Sequence, residues 1–183
     1  MSAAYSSMYK GLLTRTLWNR PENTQPLVRL LCAYIKVDAS MVISAGLVEV
    51  LGVWQKLIAS RKNEISAFVI LECITINVPL DAWINMLPEI MKILLARLTK
   101  SSTLVLRRLV INFMSLFSAK HGTEILIRAV NSVQPDLFDM VLGQIWISGA
   151  TKVHGALKRK NAAIGLVNIL CNTPYMLEPA RHA

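Results

Sequence analysis

The chain of 183 residues is 54 % hydrophobic and 17 % charged, with a formal net charge of +9. It is too apolar to stay disordered and richer in apolar residues than the ~45–50 % of an average domain, so some apolar faces await neighbours. The positive charge admits two partner classes, nucleic acid and an acidic protein surface.

Apolar residues recur at helical spacing nearly throughout. A first helix is expected over 8–18, and Pro21 to Pro26 separates it from a second over 26–37 that Thr24 caps. Its stripe is Leu27, Leu30, Leu31, Tyr34 and Ile35. A break at Asp38 to Ser40 precedes a helix over 40–60 striped by Leu47, Val50, Leu51, Trp54, Leu57 and Ile58. Asn63 caps a helix over 64–77. Within it Val69 to Val78 is β-branched enough to alternate as a strand, but a lone strand has no partner to pair with, so helix is the expectation. Pro79 and Asp81 open a helix over 80–99, in which Pro88 marks a start or a kink. Ser101 and Ser102 open the next, over 103–120, with Leu106, Leu109, Val110, Phe113, Met114 and Phe117 on one face and Gly122 closing it. Thr123 caps a short helix over 124–133, and Pro135 suits the first turn of one over 136–153. That stripe is Leu137, Phe138, Val141, Leu142, Ile145 and Trp146. Gly155 breaks the chain before a last helix over 156–172 that Pro174 ends.

The starts at 26, 64 and 103 lie 38 and 39 residues apart. Two helices per unit of ~40 residues is the spacing of HEAT and armadillo repeats. Short loops make consecutive helices antiparallel. A globular helical bundle would show the same spacing, so periodicity alone leaves both open. Lys56, Arg61, Lys62, Arg97, Lys100 and Lys120 fall at expected helix ends and Glu64, Glu89, Glu124 and Asp136 in first turns, the ordinary complement of the helix dipole.

Charged residues interrupt almost every helix-length stretch, so no segment is expected to span a membrane. Met1 to Gly11 has no apolar run of a secretory signal. Cys32, Cys73 and Cys171 are far apart, which argues for a reducing compartment and small core thiols. His121, His154 and His182 are isolated in sequence and read as loop or surface residues. No zinc spacing, Walker loop, dinucleotide-binding glycine motif or nucleophile elbow occurs, so no metal, cofactor, small-molecule substrate or catalytic residue is assigned. Two basic clusters remain, Arg107 with Arg108 and Lys152 with Lys158, Arg159 and Lys160. Each is a solvated helix face, a contact for an acidic partner surface or, in the absence of interleaved aromatics, less readily a nucleic-acid contact. Trp54 and Trp146 lie on apolar stripes and read as core; Trp18 and Trp83 near helix ends are core or interface anchors.

Three runs carry a resemblance: Leu17 to Thr24 with Leu27 to Leu31, Leu51 to Ser60, and Val133 to Leu142. Together they resemble the C-terminal region of the cellular apoptosis susceptibility family, the karyopherin-β exportins that return importin-α to the cytoplasm. The resemblance runs over roughly residues 8 to 175. It implies an all-α fold, a HEAT-repeat helical solenoid that is a fragment of a larger superhelix. It implies a non-enzymatic transport receptor that binds importin-α together with Ran-GTP, has nucleoporins as further candidate partners, and shuttles between nucleus and cytoplasm through the nuclear pore. The family's N-terminal Ran-binding arch has no counterpart in this chain. The expected organisation is a HEAT segment over 1–175 and a divergent tail over 176–183. A solenoid cut internally leaves uncapped apolar faces, which predicts self-association. The other readings are a HEAT-repeat interaction scaffold unrelated to transport and a basic nucleic-acid-binding helical repeat.

Overall fold

The computed structural model describes residues 3–174. The expected tail over 176–183 lies outside them, as does His182. The chain forms two compact units, Met1–Ala82 and Trp83–Ala183, and the regular elements of the described residues are helices.

The first unit begins with α1 (Ala3–Leu12) and a 3-10 turn at Leu17–Asn19, so the single helix expected over 8–18 is divided. The turn buries Trp18, whose indole N–H donates to the Leu12 carbonyl at 2.9 Å. α2 (Pro21–Val37) starts five residues before the expected position. Pro21 occupies its first turn, where a missing N–H costs nothing and a fixed φ helps. Pro26 then sits inside the helix and Thr24 is buried in it instead of capping it. Asp38 ends α2 and opens α3 (Ala39–Ile58): its N–H donates to the Tyr34 carbonyl, and its carboxylate accepts the Met41 N–H at 3.0 Å. α3 is kinked at Gly46, whose φ of +154° is non-helical.

By length and mean hydropathy (1.5) α3 is apolar enough to cross a membrane, which the expectation from charge placement did not foresee. Here it is a core helix. It packs on α2 and α4 (Glu64–Asn77) and buries Val42, Leu47, Val50, Trp54, Leu57 and Ile58. The β-branched Val69 to Val78 segment lies mostly within α4. α4 is buried on most sides, with Phe68, Ile70, Leu71 and Ile74 fully enclosed. Tyr9 stacks on Tyr34 with ring centroids 5.3 Å apart, and the Tyr34 hydroxyl donates to the Tyr5 carbonyl at 2.8 Å. Burial and the nearby Glu49 carboxylate push the Tyr9 phenol upward.

The second unit opens with a 3-10 turn at Ile84–Met86 and α5 (Leu87–Lys100). The helix expected over 80–99 therefore starts at Leu87, with Pro88 in its first turn. α6 (Leu104–His121) is the unit's central helix, touching α5, α7 (Thr123–Asn131), α8 (Leu137–Ala150) and α9 (Ala156–Asn172). Thr103 caps it by accepting the Leu106 N–H at 3.1 Å, and Gly122 at φ +95° closes it. α8 is wound as a π-helix over Val141–Ile147 and ends at Ala150, short of the expected 153. α9 crosses α6 closely. A Cβ at Gly165 would lie 2.8 Å from the Trp146 ring and 2.9 Å from the Ser115 backbone.

Cys32 and Cys73 are buried where α2 meets α4, the Cys73 thiol 3.6 Å from the Cys32 carbonyl oxygen. Hydrogen bonding with Cys73 and burial raise the Cys32 thiol. Cys171 departs from the expected core role and is exposed, on an outward face of α9 beside Leu170.

Candidate functional site

The first turns of α6 carry Arg107 and Arg108, and the end of α8 carries Ser148 and Gly149, followed by Lys152. Gly149 lets the two helices meet: a Cβ there would run into Ile111 Cδ1. Between them is a half-open cleft of about 210 Å³ lined by Ser102, Arg107, Arg108, Ser148 and Lys152, among others. Among the described residues three cationic side chains line it and no carboxylate does.

The guanidinium groups are held in place. Arg107 Nε donates to Ser102 Oγ at 2.6 Å. Arg108 Nη2 lies 2.6 Å from His154 Nε2. A guanidinium only donates, so in this contact His154 Nε2 is the acceptor. The Nε–H of Arg108 is buried and without an acceptor among the described residues.

Of the six cationic candidates, the structure brings together Arg107, Arg108 and Lys152. Lys158, Arg159 and Lys160 lie on the exposed first turn of α9 and do not line the cleft. Ser102, Ser148 and His154 were missed by sequence reasoning. His154 sits 46 residues from Arg108, and no motif links positions that distant.

A second cleft, of about 450 Å³, is lined by Ser118, His121, Thr123, Glu124, Arg128 and Asn168, among others. Its hydroxyls are engaged with each other, Ser118 Oγ to Thr123 Oγ1 at 2.5 Å. His121 stands at the end of α6 as expected, and its ring packs at a tilt on Phe117 and edge-to-face on Trp83, with centroids 5.0 and 6.2 Å away. That packing makes it a wall of the ring cluster. No group of three or more His, Cys, Asp or Glu that could hold a metal occurs among the described residues. Trp18, Trp54, Trp83 and Trp146 are all buried, so none is an exposed interface anchor.

A family profile described as "CAS/CSE protein, C-terminus" matches residues 1–183. The chain belongs to the CAS/CSE family. Exportin-2 of Danio rerio is 34 % identical over 179 residues, covering 96 % of this chain and 18 % of that protein. Exportin-2 of Homo sapiens is 32 % identical over the same length and shares. The chain thus spans about a fifth of the length of these CAS/CSE relatives. A solved structure described as "The exportin Cse1 in its cargo-free, cytoplasmic state" superposes with a TM-score of 0.90 and 30 % identity, over 97 % of this chain and 19 % of that one. That CAS/CSE likeness fixes the fold class: the chain is a HEAT-repeat helical solenoid segment. The bundle left open by the periodicity is set aside.

Proposed function

We propose that this chain is a protein-binding segment of a nuclear export receptor, and that it acts by binding, without catalysis. The observation that carries the reading is the match of almost the whole chain to the exportin Cse1, in both fold and sequence. The partners are those the family resemblance implies, importin-α and Ran-GTP, and the working cycle is shuttling between nucleus and cytoplasm. In a solenoid each repeat touches only its neighbours, so small adjustments add along the array. Two partners gripping one such spring can couple by ~1–3 kcal/mol, a 5–150-fold change in affinity. Arg107, Arg108 and Lys152 supply a positive surface suited to an acidic partner patch, with Lys158, Arg159 and Lys160 as a second, more exposed set.

The test is a pull-down of importin-α by the chain, with and without Ran locked in its GTP form. Capture that rises with Ran supports the reading. No capture in either condition, by protein shown to be helical and soluble, leaves a scaffold without a transport role and overturns it.

A further inference from the structure

We infer that the cleft between the start of α6 and the end of α8 is a site for a phosphoryl group carried on a side chain of a protein partner. The inference rests on the protein-binding reading above only for the partner being a protein; the chemistry rests on the cleft. Arg107, Arg108 and Lys152 converge there, with no lining carboxylate among the described residues. Cations gathered without a counter-ion repel one another, and an anion in the cleft relieves that repulsion. The Arg108 Nε–H is buried with no acceptor among the described residues, an arrangement that is costly for a donor on a charged group. The positive end of the α6 dipole adds to the attraction.

The size and charge favour phosphoryl over carboxylate. A phosphomonoester carries about −1.5 to −2 charges and three strong acceptor oxygens, one for each of the three cationic side chains. A carboxylate brings one charge and two oxygens. The half-open cleft of about 210 Å³ has room for a phosphoryl group together with waters. The guanidiniums need little reorganisation, because Ser102 and His154 already hold Arg107 and Arg108.

The probe is N-acetyl-phosphoserine amide, titrated into the full 183-residue chain while the arginine Nε–H resonances are followed by NMR. Inorganic phosphate and N-acetyl-glutamate amide are the comparison ligands. The expected result is a saturable shift of the Arg108 Nε–H signal. Lys152→Gln and Arg107→Gln should each weaken binding by about tenfold, the size of one charge-assisted contact. Lys92→Gln, on the exposed side of α5 and outside the cleft, should leave it unchanged. Equal affinity for the glutamate compound overturns the phosphoryl assignment. Inorganic phosphate binding more tightly than the phosphoserine compound overturns the side-chain source. A loss in Lys92→Gln as large as in Lys152→Gln shows general surface attraction and overturns the site. A chain that captures importin-α but ignores phosphoserine loses this site and keeps the transport reading. Phosphoserine binding without importin-α capture keeps the site and sinks the transport reading.

Discussion

Single atoms decide how the second unit closes. Gly165 has no room for a side chain: a Cβ would sit 2.9 Å from Ser115 backbone and 2.8 Å from the Trp146 ring. Backbone cannot yield as a flexible side chain can. Gly165→Ala should therefore destabilise by ~1–3 kcal/mol, the usual cost of overpacking, read as a lower denaturant midpoint at unchanged slope. A midpoint equal to that of the parent chain would show that the crossing has slack. The thiols give a second residue-scale expectation. Cys171 is exposed while Cys32 and Cys73 are buried; Cys32 is held as the thiol by Cys73 and by burial, and Cys73, which the same hydrogen bond lowers, is shielded by its burial. The thiolate is the reactive form. A thiol reagent at neutral pH should thus label one site per folded chain, at Cys171, and three only after denaturation. Early labelling of Cys32 would place that thiol outside the core. The charge content of the sequence pointed to Arg107, Arg108 and Lys152, because cations are visible as letters. The orientation of His154 and the exposure of Cys171 were not visible, because both depend on which helix lies opposite.

At the scale of elements, apolar periodicity located most helices, since burial of one stripe is what keeps a helix of this length formed. It failed where local backbone chemistry decides. Pro21 reads as a breaker in sequence and is a first-turn residue in α2. Gly46 lies in a continuous apolar pattern yet takes a positive φ that bends α3. The π-helical stretch Val141–Ile147 leaves no mark on the stripe of α8, because one widened turn shifts the face only slightly. The α2–α3 junction is the clearest local instruction. Asp38 receives the end of one helix and caps the next. Asp38→Ala should cost ~0.5–2 kcal/mol as a lost N-cap, whereas Asp38→Asn should keep most of it, since an amide oxygen still accepts the Met41 N–H. Equal loss in both variants, measured by chemical denaturation, would mean that the carboxylate acts through charge and not through the cap.

At the scale of the whole molecule, the high apolar content noted from composition finds its place on helix faces that the described residues leave uncovered. In α9, Leu157, Ile164, Val167 and Leu170 are 71 %, 37 %, 53 % and 55 % exposed. Ile164, Val167 and Leu170 are spaced as one side of a helix, while Ala162, Gly165 and Ile169 face inward. Soluble monomers seldom show contiguous apolar surface beyond a few hundred Å², and repeats use such faces to stack on the next repeat. The isolated chain should therefore self-associate through α9 at micromolar concentration. Lys158, Arg159 and Lys160 on the first turn of the same helix oppose that by like-charge repulsion. Added salt screens the repulsion, so association should strengthen with salt, the opposite of what phosphate-contact binding to nucleic acid would do. Sedimentation velocity should show species larger than a monomer, shifting back to monomer in the double variant Val167→Lys with Leu170→Lys. A parent chain that sediments as a clean monomer at high salt would mean that this face is covered or too small to drive contact, and that the apolar surplus is spent inside the two units.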